Sequence, residues 1–393
     1  MKKVSIKILI LFIILSDFFV SCKVTVNPKP DKEKELYEAA KKMPLTLLAE
    51  EDGIIKLRRT DLVTNFKYTI NGGEPVPVYS RNLVNIDVVE GDEVRFYGEG
   101  THNDLDNYFD INCSKACSVY GNVMSLLTAE YQTATVITND YAFRRLFNGN
   151  YYLKNHKEKK LVLPATKLAD YCYFSMFINC RALTEAPKLP ATTLANHCYD
   201  YMFGGCVSLT KAPELPAKSL AVYCYAYMFN GCTSLTEAPK LPAKNLTVGC
   251  YTNMFSRCSS LTEAPELPAI TLAQFCYECM FSACTSLLEA PELPATTLAI
   301  NCYASMFSGC TLLTKTPELN APILVNSCYH QMFSGCTNLN YVKCLATDVS
   351  ASNCVGYWLS GVPSKGIIIT PSTTQWPEGD SGIPSGWTRV NAQ

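Results

Sequence analysis

Cysteine is the residue whose number and spacing first invite a chemical reading. The chain holds 20 cysteines in 393 residues, and most of them fall on two ladders of constant step. One ladder is Cys172, Cys198, Cys224, Cys250, Cys276, Cys302 and Cys328; the other is Cys180, Cys206, Cys232, Cys258, Cys284, Cys310 and Cys336. If each ladder rides on a stack of helices, neighbouring helices lie about 8 to 10 Å apart, beyond the roughly 7 Å between Cα atoms that a disulfide tolerates. The ladder is therefore expected to be free thiol, with cysteine used as a small buried hydrophobe. Two pairs off the ladder, Cys113 with Cys117 and Cys344 with Cys354, remain open as disulfides. Cys276-Tyr277-Glu278-Cys279 is a CxxC, but no second one accompanies it, and His102, His156, His197 and His330 have no repeat partners. No metal site and no cofactor are expected from this donor set.

Catalytic signatures are equally thin. Neither a Gly-x-Ser-x-Gly elbow nor a HExxH helix nor a glycine-rich phosphate loop occurs, so no catalytic residue is assigned and an enzyme is not expected. Charge is more informative. Glu185, Lys211, Glu237, Glu263, Glu289 and Lys315 share one repeat position, and Lys188, Glu214, Lys240, Glu266, Glu292 and Glu318 share another. The early repeats alternate in sign, which permits a self-neutralising lattice of roughly 0.2 to 1 kcal/mol per pair. Residues 251 to 344 carry six acids against three bases, so Glu263, Glu266, Glu289, Glu292 and Glu318 are the candidate ligand-binding residues. The alternative is a solvated face whose repeats have drifted. Tyrosines form a further ladder, Tyr173, Tyr199, Tyr225, Tyr251, Tyr277, Tyr303 and Tyr329, expected to pack between repeats, with Tyr201, Tyr223 and Tyr227 as better candidates for exposure.

The element that must position these groups is a repeat. Leu-Pro-Ala or its variant recurs at 163, 189, 215, 241, 267, 293 and 319, always 26 residues on. A fixed period in this range marks a solenoid whose units bury their apolar faces only against each other. Leu194, Cys198 and Met202 are four apart, as are Ala195, Tyr199 and Phe203, which predicts a three-turn helix. Gly204-Gly205 would end it, leaving a short strand over Leu209 to Ala212. Degenerate units extend the array at both ends, with Trp358 and Leu359 where Met332 and Phe333 stood one period earlier.

Ahead of the repeats, residues 44–127 alternate with period two and carry turn signals at Asn71-Gly72-Gly73 and Glu90-Gly91-Asp92, as in a small all-β sandwich. The first 22 residues form an export signal: Lys2, Lys3 and Lys7 precede a short apolar core too brief to span a bilayer. Phe19-Val20-Ser21-Cys22 resembles a bacterial lipobox, making Cys22 the expected acylated N-terminus and 23–43 a solvated linker with room for a short helix through Leu36 to Lys42. The expected organisation is a lipoprotein signal peptide at 1–22, linker at 23–43, sandwich at 44–127, α/β leucine-rich repeat solenoid at 128–362 and C-terminal cap at 363–393. A formal charge of -1 argues against a nucleic-acid partner.

The units written CYxxMFxxCxSLTxAPxLPA, together with the lipobox and the order of segments, make the chain similar to the BspA-like leucine-rich repeat surface lipoproteins of Gram-negative anaerobes. That resemblance implies a surface-exposed outer-membrane lipoprotein that binds a protein partner or a host or matrix component in adhesion. It brings no catalytic residue, because the motif it rests on is structural. A glycan-binding surface lipoprotein and a structural envelope protein are the other readings.

Overall fold

The computed structural model describes residues 31–59, 65–79, 83–100, 104 and 107–392. Cys22 and the export segment lie outside these residues. Helix α1 spans Lys32–Lys41, capped by the Asp31 carboxylate, which accepts from the amides of Glu33 and Lys34 at 3.1 and 3.3 Å. The linker expected over 23–43 is thus ordered in its second half: Ala40 is buried, and Lys188 of the repeats holds Glu33 at 3.0 Å.

Ten short strands follow: β1 Leu45–Ala49, β2 Gly53–Arg59, β3 Lys67–Ile70, β4 Val76–Pro77, β5 Leu83–Val88, β6 Glu93–Tyr97, β7 Phe109–Cys113, β8 Cys117–Asn122, β9 Leu153–Asn155 and β10 Leu161–Val162. They form a seven-stranded sheet, ordered β10-β8-β1-β6-β3-β4 with β9 also on β8, and a three-stranded sheet, β5-β2-β7. Alternate residues point inward, so Leu45, Leu47, Val94, Phe96 and Val119 of the first sheet share one core with Ile55, Leu57, Ile86 and Ile111 of the second. Pairings within 45–122 are antiparallel. Those of β8 with β9 and β10 are parallel, which carries the sheet directly into the first coil of the repeat array.

From there the chain is mostly extended or turning, and its rings stack in regular ladders as in a solenoid. The expected three-turn helix does not form. In its place runs a ribbon of consecutive turns, in which alternate amides do different jobs. Those of Cys198, Asp200, Met202, Gly204 and Cys206 close local turns on the carbonyl three residues back, at 3.0 to 3.3 Å. Those of Tyr199, Tyr201, Phe203 and Gly205 donate to Cys224, Ala226, Met228 and Asn230 of the next coil at 2.7 to 3.0 Å. Every fourth residue is left-handed, with φ of 52° at His197, 56° at Tyr201 and 71° at Gly205. The ribbon therefore repeats every four residues, the interval that suggested a helix, while committing half its donors to a neighbour instead of to itself.

That commitment sets the spacing of the coils. Rings of the Tyr173 to Tyr329 ladder stack at 5.6 to 6.0 Å, and those from Phe147 to Phe333 at 5.4 to 5.8 Å. This is near the interstrand distance of a sheet and well inside that of packed helices. The strand expected in each coil is reduced to single parallel bridges, Glu185 to Lys211, Lys211 to Glu237 and Glu263 to Glu289. It lengthens only near the end, where β11 Lys315–Leu319, β12 Tyr341–Cys344, β13 Ile367–Thr370 and β14 Thr388–Asn391 form a parallel four-stranded sheet. Tryptophans close the last coil. Trp358 is fully buried, stacks on Trp376 at 5.5 Å and donates its indole N–H to the Gly382 carbonyl at 2.7 Å. Trp387 lies across Gly366, where any Cβ would meet its ring at 2.5 Å.

Candidate functional site

The cysteine ladders belong to the core. All nineteen described cysteines are free thiols, and every ladder member is buried. The helix-spacing argument that led to this expectation is nevertheless overturned, since adjacent coils stack within disulfide reach. What occupies the second ladder is a hydrogen bond. Each thiol from Cys180 to Cys336 donates to a phenylalanine carbonyl in the preceding coil, Cys206 to Phe177 at 3.0 Å and Cys232 to Phe203 at 3.1 Å among them. Burial pushes these thiols up, to about 12 at Cys206, so they are poor nucleophiles. Cys276 of the CxxC is buried in its ladder and Cys279 half-buried outside it. Among the described residues no three His, Cys, Asp or Glu side chains gather as metal ligands. Cys113 and Cys117 are both buried free thiols, whereas Cys354 donates to the Val349 carbonyl at 3.2 Å.

The tyrosine ladder is core as well, each ring almost wholly buried. It is a packing element and presents no face to a ligand. Tyr201, Tyr223 and Tyr227 are half-buried on the turn ribbon, as their position outside the ladder suggested.

On the strand side, Glu263, Glu266, Glu289, Glu292 and Glu318 are all exposed. Backbone bridging brings Glu263 and Glu289 onto adjacent coils, so two like charges stand side by side. Three ion pairs lie elsewhere on this face: Lys160 reaches Glu185 at 3.1 Å, Lys211 reaches Glu237 at 3.9 Å, and Lys343 holds Glu318 at 2.5 Å. Glu318 is thereby removed from the unpaired set. An open depression of about 440 Å³, lined by Thr236, Glu237, Ala238, Thr262, Glu263, Ala264 and Pro265, marks where the matched stretch gives way to the acidic one.

One grouping was missed by sequence reasoning. Asp200, 6% exposed, takes the ring nitrogen of His197 at 2.8 Å on one carboxylate oxygen, while its other oxygen is buried without a partner. His197 is stacked between Tyr171 at 4.5 Å and Tyr223 at 5.1 Å. Burial raises Asp200 to about 6 against the lowering effect of His197. The signal was available in the three-residue interval between His197 and Asp200, which a helix and a turn ribbon both bring together, but histidines were judged by whether they repeat.

No helix of the described residues is long and apolar enough to cross a membrane. Searches of known protein families, curated proteins and solved structures found no match to this chain.

Proposed function

We propose that this protein is a lipid-anchored cell-surface adhesin, a leucine-rich repeat solenoid of 26-residue units following a small β-sandwich domain, that captures a basic protein partner on the acidic part of its strand-side face. The observation that carries the reading is the break in charge pairing. Lys160 with Glu185 and Lys211 with Glu237 are matched, while Glu263 and Glu289 sit on bridged coils with no ion-pair partner among the described residues. Like charges held side by side in water cost a little stability and raise the local potential, which favours encounter with a cationic surface. Glu266 and Glu292, exposed three residues further along the same coils, extend the patch.

Cys22 supplies the anchor in this reading, with α1 and its preceding linker as the stem. The Tyr173 to Tyr329 ladder lends the glycan alternative no support, because its rings are packed against each other. Two experiments test the proposal. Cys22→Ser should release the protein from carbonate-washed membranes; retention would refute the anchor. The released protein, applied to an array of host matrix proteins and glycans, should be captured by basic proteins in a salt-sensitive manner. Capture confined to neutral glycans would refute the protein-binding reading.

A further inference from the structure

A second site lies on the turn ribbon, away from the strand-side glutamates. Asp200, Ala226, Thr252 and Glu278 hold the same place in successive coils, 26 residues apart. Ala226 is fully buried and Thr252 nearly so, its hydroxyl held down by donating to the Phe275 carbonyl of the next coil at 2.6 Å. No side chain therefore rises between the two carboxylates. Flanking this row on one side are Tyr171, His197 and Tyr223, stacked face to face; on the other are Tyr201 and Tyr227, stacked at 4.2 Å with their planes 6° apart. The coil after Tyr223 carries Gly249 at φ 59°, where any Cβ would lie 2.0 Å from the Tyr223 ring, so that ring is laid down along the row.

Burial raises the Tyr223 and Tyr227 hydroxyls, and the charges of Glu278 and Asp200 add to the rise at both, so the two carboxylates act on the same two rings. Glu278 is half-buried with no ion-pair partner among the described residues, and Asp200 keeps one oxygen buried and unpartnered. Desolvated negative charge beside aromatic faces is the setting in which an organic cation gains both a charge-assisted bond and a cation–π contact. Three coil steps separate Asp200 from Glu278, on the order of 15 Å of backbone at sheet-like spacing. One ammonium cannot meet both acids, whereas a flexible chain carrying two can.

We propose that Asp200, Glu278, Tyr223 and Tyr227 form a binding site for a linear alkylammonium ligand with two cationic ends, presented either by a free polyamine or by paired lysines of a peptide. Methylenes between the charges lie along the tyrosine rings, and the ends meet Asp200 and Glu278.

The test is isothermal titration of the full-length Cys22→Ser protein with spermidine at pH 7.5 and low salt, in parallel with butylamine and with the capped tripeptide Ac-Lys-Ala-Lys-amide. Saturable binding of spermidine at least tenfold tighter than butylamine is expected. Asp200→Asn and Glu278→Gln should each weaken it at least tenfold while leaving the melting cooperative, and Glu185→Gln, at an ion-paired glutamate outside both sites, should leave it unchanged. A tripeptide that binds more tightly than spermidine assigns the site to protein lysines; the reverse assigns it to free polyamine. Absence of saturable binding by all three ligands, or affinity indifferent to both acid substitutions in folded protein, overturns the site.

Discussion

Ala283→Gly separates a turn ribbon from a helix by sign. Ala283 sits at φ 58°, and its amide donates to the Ser308 carbonyl of the next coil at 2.7 Å. An L residue in this region costs about 1 to 2 kcal/mol, and glycine there costs roughly 0.5 to 1 kcal/mol more than alanine in lost chain freedom. The ribbon therefore predicts a net gain of about 0.5 to 1 kcal/mol. The helix suggested by the four-residue periodicity predicts a loss of about 1 kcal/mol at the same position. Gly309→Ala is the reciprocal change one coil later: φ is 75° and the added Cβ would come no closer than 3.6 Å to any neighbour, so it isolates backbone strain from steric overlap. It should cost about 1 kcal/mol. Equilibrium urea unfolding under reducing conditions, read by the midpoint at unchanged slope, measures both. Destabilisation by Ala283→Gly together with stabilisation by Gly309→Ala would refute the ribbon.

Further consequences can be measured on the same protein. Phe229, fully buried and stacked on Phe203 at 5.8 Å and Phe255 at 5.7 Å, should lose about 3 to 5 kcal/mol as Phe229→Ala, since two coil interfaces share it; a loss below about 1 kcal/mol would mean the stack is not the core. Asp200 titrates near 6 when folded and 3.8 in the open chain, so folding binds a proton in that window. Its contribution is favourable at low pH and is lost as pH rises through about 6, so Asp200→Asn should flatten the fall in melting temperature between pH 5 and 7.5. Glu93 acts in the opposite direction. Tyr120, Lys159 and Arg95 hold it at about 2 against an ordinary 4.5, so its stabilisation is present above 4.5 and fades as pH falls toward 2; Glu93→Gln should blunt acid unfolding. Thiol titration of native protein should find the ladder cysteines unreactive, and of denatured, unreduced protein should find most of the nineteen described thiols; a count near zero would contradict the free ladders.

The repeat and its buried rungs were legible because a constant step of 26 puts the same side chains in every coil, whatever the backbone does between them. Cys198, Tyr199, Met202 and Phe203 are buried as the pattern demanded. The backbone itself was not legible. An interval of four serves a helix and a turn ribbon alike, and the deciding signal was the mixed set of His197, Tyr201 and Gly205 at left-handed positions, of which only the glycine announces its conformation. The error carried into the cysteine argument, where a right expectation rested on a wrong distance. Glu263 and Glu289 could be placed on one row from spacing alone, but the pairing of Glu318 with Lys343 depends on the parallel register of β11 and β12. Asp200 and Glu278 were not grouped because each is the sole acid of its kind at a position otherwise filled by Phe174, Ala226, Thr252, Ala304 and His330. Residues that break a repeat are the ones that a search for periodicity averages away.

The acidic strand-side patch is tested most directly by replacing Glu263, Glu266, Glu289 and Glu292 together with Gln, and measuring capture of the array-identified partner across a salt series beside the melting temperature. The control is Glu185→Gln with Glu237→Gln, the ion-paired glutamates of the same face, held by Lys160 at 3.1 Å and Lys211 at 3.9 Å. Removing the unpaired set should preserve or raise the melting temperature, weaken capture about tenfold, equivalent to about 1.4 kcal/mol, and flatten its dependence on salt, while the control should melt slightly lower and capture normally. Equal behaviour of the two sets in both measurements would contradict the account and leave the glutamates as drift within duplicated repeats.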